Sequence, residues 1–136
     1  MMFCLDTNAV IALIGHHPSM NARFRRELAR NSRLSVPVIV LHELRFGIAK
    51  STRRAHNERM LNQFFVAPVE TLAFDGEDAA EAADIRMHLQ AKGTPIGPYD
   101  LLIAAQARRR GATLVTGNVR EFRRVPRLSV EDWARP

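Results

Sequence analysis

Four polar residues stand where the surrounding sequence is apolar. Asp6 closes the run Met2–Leu5, and Glu43 lies among Val40, Leu41 and Leu44. Asp100 follows Pro98 and Tyr99, and Asn118 comes two residues after an apolar run that ends at Thr116. Carboxylates brought together repel one another unless a cation neutralises them. Mg²⁺ suits such a set, because it takes oxygen ligands, keeps several waters and is held by a few carboxylates plus phosphate oxygens. A metal held this way can activate water and stabilise the charge of an in-line displacement at phosphorus. Three of the four also have a local explanation. Asp6 is a favoured helix N-cap, and Asp100 in a first helical turn complements the helix dipole. Asn118 with Glu121 three residues later has the spacing of a capping box. Glu43 has no such local partner. Only joint placement separates the two readings.

For the four to meet, distant segments must converge. The apolar runs predict strands at 2–5, 34–36, 69–72, 113–116 and 128–130. Helical spacing predicts helices over 9–15, 21–30, 52–65, 75–90 and 98–110. A further helix reads VIVLHELRFGIA, with Pro37 suited to its first position. The segment AKGTPIGP is a turn region, and Gly111 ends the helix before it. Strands alternating with helices along the whole length imply an α/β fold, one domain over 1–136, with a mostly parallel central sheet flanked by helices. Ligands of such sheets bind outside the carboxyl ends of the strands, near a topological switch point. Asp6 and Asn118 fall beside such ends.

Composition narrows the class. At 136 residues, 46% hydrophobic and 25% charged, the chain is long enough for one core without disulfides. Its apolar runs are too short for a membrane span, and Asp6 interrupts the N-terminus before a signal-peptide core forms. The single cysteine, Cys4, makes no internal bridge, so a reducing cytoplasm is expected and a packed thiol is its expected state. The net charge is +6, and 18 of the 20 basic residues are arginine. Residues 23–59 carry ten bases against three acids, and 108–135 carry eight against three. Between them, 60–107 carries two bases and seven acids. Such blocks suit a polyanionic or an acidic partner. The run Arg108–Arg110 serves either an RNA backbone or the C-terminal dipole of its helix. Asp75, Glu77 and Asp78 read as helix-start chemistry.

Other chemistries fall away. His42-Glu43 begins a zinc-protease pattern, but Phe46 stands where the second histidine belongs. Asp6-Thr7-Asn8 lacks the second aspartate of a phosphatase nucleophile motif, and no glycine-rich phosphate loop is present. His16 and His17 lie in a loop bounded by glycine and proline.

Four segments resemble the PIN-domain ribonucleases, specifically the VapC-type toxins of bacterial toxin–antitoxin pairs. They are LDTNAVIALI around Asp6, VIVLHELRFGIA around Glu43, GTPIGPYDLLIAAQA around Asp100 and ATLVTGNVREFRRVPRLSVEDW at the C-terminus. They follow the family's order over nearly the whole chain. The resemblance implies a Mg²⁺-dependent endoribonuclease, with Mn²⁺ able to substitute. It implies a homodimer inhibited by a cognate VapB-type antitoxin, with operator DNA reached only through the antitoxin complex. By position, Asp6 and Asp100 become the metal ligands, and Glu43 the second acid of the cluster. Asn118 takes the fourth catalytic position, where the family carries an acid or an amide, and Thr116 a supporting one. Asn118 contributes no charge there, so an alternative is a catalytically degenerate module that binds RNA or antitoxin.

Overall fold

Met2–Leu5 (β1) is apolar on both faces, and Phe3, Cys4 and Leu5 are all buried. A strand of that kind belongs at the centre of a sheet covered on both sides. The computed structural model, which describes residues 1–135, places it there. Its neighbours are Arg33–Pro37 (β2) and Thr113–Val115 (β4), with Val69–Leu72 (β3) and Ser129–Glu131 (β5) at the edges. The order is β3-β2-β1-β4-β5, and every pairing is parallel. Seven helices connect and cover the strands among the described residues: Thr7–Ile14 (α1), Pro18–Ala29 (α2), Val38–Ala49 (α3), Arg54–Phe64 (α4), Gly76–Ala91 (α5), Pro98–Arg109 (α6) and Val119–Phe122 (α7). None of them is long and apolar enough to cross a membrane.

The core runs along both faces of the sheet. Phe3, Leu5, Val36 and Leu114 are fully buried, as are Ile85, Leu89 and Ile103 on the helices that cover it. Full burial of each such side chain contributes about 1.5–3 kcal/mol. Ala104, Ala105 and Ala107 are fully buried too, and their small side chains let α6 lie close to its neighbours. Cys4 is an enclosed thiol that accepts a hydrogen bond from the Ser35 hydroxyl at 3.3 Å. Burial pushes it above the usual thiol range, so it is inert packing.

The sequence pattern departs from the structure at element ends. Pro37 is the last residue of β2, paired with Leu72, and stands just before α3 rather than inside it. Its fixed φ fits both extended backbone and a helix start, and strand pairing decides. The second helix begins at Pro18 rather than Asn21, because His17 Nδ1 accepts the Met20 N–H and Pro18 takes the first turn. The last strand is shifted by one residue, with Val130 beside Leu114. The short α7 has no counterpart in the periodicity, being too brief to show one.

The arginines that end α6 are committed to the fold. Arg108 bonds Glu81 at 2.7 Å, and Arg109 reaches Asp75, Glu77 and Asp78 at 3.0, 2.8 and 2.6 Å. Arg110 bonds Asp78 at 2.8 Å and the Ala73 carbonyl at 3.2 Å. Asp75 and Asp78 form the capping box of α5. These ties clamp α6 to the start of α5, which leaves no free cation in that run for RNA.

Candidate active site

The chain runs from β1 outward to β2 and β3, then returns to the other side of β1 for β4 and β5. The switch point therefore lies between the carboxyl ends of β1 and β4, where a crevice opens. Leu5 pairs with Val115, so the next residues, Asp6 and Thr116, leave the sheet side by side. The Asp6 N–H donates to the Val115 carbonyl at 3.1 Å, extending the ladder by one bond. Asp6 Oδ1 also caps α1, accepting the Ala9 N–H at 2.9 Å. Capping and site position are one arrangement: the cap fixes the carboxylate at the carboxyl end of β1.

The other acids arrive on helices. Glu43 lies on α3, and the Thr7 hydroxyl donates to its Oε1 at 2.8 Å, tying it to the turn that carries Asp6. Asp100 lies in the first turn of α6, which Gly97 and Pro98 open. A Cβ on Gly97 would lie 3.5 Å from the Asp100 carboxylate, in ordinary contact with it. A fourth acid, Glu121, faces Asp100 from α7. Its Oε1 accepts the Gly97 N–H at 3.2 Å, and its Oε2 accepts the Asn118 side-chain amide at 2.6 Å. Asn118 itself is exposed, and its own N–H donates to Thr116 Oγ1 at 2.9 Å.

The capping-box spacing of Asn118 and Glu121 thus has a different outcome. Asn118 makes no side-chain cap on α7. The two side chains bond each other, and Glu121 adds a carboxylate to the crevice that the sequence pattern assigned only to capping. The signal was the acid three residues after Asn118, on the same side of a short helical turn.

Electrostatics sets these acids apart. Nine of the fourteen acidic residues are paired with an arginine: Glu27, Glu58, Glu70, Asp75, Glu77, Asp78, Glu81, Glu131 and Asp132. Among the described residues, the five without one are Asp84 and the four of the crevice. In a chain this rich in arginine, four unpartnered carboxylates at one sheet edge form a concentrated negative field. Burial pushes Asp100 up to about 6, and the charges of Glu121, Glu43 and Asp6 add to the rise. Burial also raises Asp6, against the pull of Thr116 and the Ala9 N–H. Asp6 and Asp100 thus resist ionising where they stand, a strain that a cation would relieve.

The donor set fits a hard ion. It is all oxygen, with Cys4 enclosed in the sheet and His42 turned outward against Tyr99, ring centres 5.6 Å apart. Among the described residues, no group of three acid, histidine or cysteine side chains is already arranged to hold a metal ion. Mg²⁺ and Mn²⁺ do not need such a group, since one or two carboxylates plus waters hold Mg²⁺ and carboxylate oxygens suit Mn²⁺.

A parallel sheet with acids gathered at its switch point defines a class, and comparison with known proteins gives the same one. Residues 3–128 match the PIN domain, and the chain belongs to the PIN-domain family. Over 133 residues, 98% of each chain, it is 37% identical to Ribonuclease VapC2 of Rickettsia felis. It is 40% identical over 133 residues, again 98% of each, to the tRNA(fMet)-specific endonuclease VapC of Salmonella typhimurium. Among solved structures it superposes on a chain of VapBC2 from Rickettsia felis bound to a promoter DNA fragment, with a TM-score of 0.90 and 35% identity. That match covers 98% of this chain and 99% of the other.

Proposed function

We propose that this chain is a Mg²⁺-dependent endoribonuclease, the toxin of a VapBC-type pair. The observation that carries the reading is the set of four carboxylates left without arginine partners at the β1–β4 switch point. Asp6 and Asp100 are the ligands, and Glu43 completes the acid set, directly or through water. Magnesium bound there, or manganese in its place, supplies a polarised water and neutralises charge developing at phosphorus. The chain's own residues do the positioning. The Ala9 N–H fixes Asp6, and the Thr7 hydroxyl fixes Glu43. Asn118 and the Gly97 N–H hold Glu121 against Asp100. The expected products carry a 5′-phosphate and a 3′-hydroxyl.

The partner follows the same electrostatics. An apolar groove of about 480 Å³ runs between α1, α3 and α4, lined by Ile11, Ile14, Leu44, Ile48 and Met60, and reaches Glu43. A VapB-type antitoxin covers this groove with an apolar segment and sends a basic side chain among the carboxylates in place of the metal. The Rickettsia felis relative was solved with its antitoxin on promoter DNA. By analogy, this chain reaches operator DNA only within such a complex, and it pairs with a second copy of itself.

The test is incubation of the purified protein with total bacterial RNA in Mg²⁺, Mn²⁺ or EDTA, with mapped ends and an Asp6→Ala control. Initiator tRNA is the first species to inspect, given the name of the Salmonella typhimurium relative. Discrete metal-dependent cuts absent from the Asp6→Ala lane are expected. A folded, metal-supplied protein that cuts nothing while still binding RNA would instead be a binding module.

A further inference from the structure

Four carboxylates in one crevice offer a polynucleotide no attraction of their own. Attraction for the substrate has to come from beside them. We propose that the groove between α7 and the end of β5 holds the phosphate backbone of single-stranded RNA next to the acidic crevice.

The groove encloses about 700 Å³ and is lined by Arg120, Arg123 and Arg135, with Gly117, Val130 and Asp132. Its free charge is positive. Both acids on its wall are already neutralised: Glu131 by Arg23 at 3.0 Å and Asp132 by Arg135 at 3.5 Å. Arg120 and Arg123 are exposed, three residues apart on one short helical turn. Among the described residues, neither forms a salt bridge, unlike Arg108, Arg109 and Arg110, which are all bonded to acids. Two unengaged guanidinium groups at that spacing suit successive phosphates, which they bind through paired N–H donors.

The groove and the acidic set share the segment 117–121. Val130 and Glu131 of β5 line the groove, and the Thr116 N–H donates to the Glu131 carbonyl at 3.0 Å, which ties the end of β4 beside them. Gly117, Val119 and Arg120 line its near wall, and Asn118 between them holds Glu121 in the acidic set. A chain lying on Arg120 and Arg123 therefore leads into the carboxylates along one loop. Gly117 faces open space, since a Cβ there would meet nothing within 4 Å. The direction of the RNA across the acids rests on the nuclease reading, whereas its seat on the arginines does not.

The experiment compares the full chain with Arg120→Gln/Arg123→Gln and with Arg25→Gln/Arg26→Gln, which removes two exposed charges from α2. Binding of a fluorescent single-stranded RNA is followed by anisotropy in EDTA, where nothing is cut, across a salt series. Cleavage in Mg²⁺ is measured separately as kcat and KM. For the groove variant, affinity should fall about tenfold and the slope of log affinity against log salt should shrink by about 1.4. KM should rise with kcat unchanged, and Arg120→Lys/Arg123→Lys should restore most of the affinity. Equal losses in the α2 variant would overturn the proposal in favour of net charge alone. Unchanged RNA affinity with weakened antitoxin capture would overturn it in favour of a protein surface. A wild-type chain that binds RNA through these arginines but never cuts it would leave the groove standing and remove the nuclease.

Discussion

Asn118 donates its side-chain amide to Glu121 at 2.6 Å, and Glu121 is the charge that presses hardest on Asp100. A neutral amide at 118 thus orients an acid without adding to the repulsion. Asn118→Asp replaces the donor by a second carboxylate beside Glu121. In EDTA this variant should lose on the order of 1 kcal/mol of stability from like-charge contact. Mg²⁺ should restore the loss, because more negative charge binds the cation more tightly. Thermal unfolding with and without Mg²⁺ checks both, and a variant as stable as wild type in EDTA would show that Asn118 carries no such role.

Asp100 has its pKa raised to about 6 from an ordinary 3.8, first by burial and then by Glu121, Glu43 and Asp6. The folded state therefore holds this proton more tightly than the unfolded state. Any stability it gives is complete below about pH 4 and is lost as the pH rises through about 6. Asp100→Asn removes the ionised form, so in EDTA it should stabilise the protein at pH 8 by about 1–2 kcal/mol, after allowance for partial solvent screening. At pH 4 the difference should vanish. The same variant should cut no RNA at any pH. Greater stability with lost activity would be the mark of a residue kept for its chemistry.

The sheet was legible because the strands are short apolar runs with helices between them, and parallel order follows from that alternation. Asp6, Glu43 and Asp100 were legible as acids in apolar surroundings. Glu121 was not, because Asn118-x-x-Glu121 has the spacing of a helix cap and a four-residue helix has no periodicity to show which way its side chains face. The arginines 108–110 were legible as cations at a helix end, but their partners were not. A charge run looks free in sequence, and only the docking of α5 on α6 reveals that Asp75, Glu77, Asp78 and Glu81 occupy it. Long-range pairing of charges is the part that local spacing cannot carry.

Thr7 has no charge and no metal-binding strength, yet its hydroxyl holds Glu43 at 2.8 Å from the turn that presents Asp6. Groups that orient ligands from behind typically cost ten- to a hundredfold in activity when removed. Thr7→Val keeps the shape and deletes the donor, so kcat should fall by about that factor. Thr7→Ser, which keeps the hydroxyl, should recover most of it. The fold should be unaffected, because Thr7 is only partly buried. Equal activity in the valine and serine variants would remove the hydrogen bond from the mechanism.

Asp78 is fully buried, yet it is charged at every ordinary pH. Burial alone would raise its carboxyl, but hydrogen bonds from Arg110, Arg109 and the Asp75 N–H bring it down to about 2. Its pKa lies below the unfolded value, so its contribution is present above about pH 4 and is lost as the pH falls through about 2. Asp78→Ala takes from Arg110 its ion-pair partner, leaves Arg109 with Asp75 and Glu77, and removes the α5 capping box, so it should cost about 2–3 kcal/mol at pH 7. That cost should shrink on acidification, which urea unfolding at pH 7 and pH 3 would reveal. Arg109→Gln should weaken the same junction while leaving the salt dependence of RNA binding untouched. A changed salt slope in that variant would return the arginine run to the nucleic-acid surface, and with it the charge that α5 otherwise consumes.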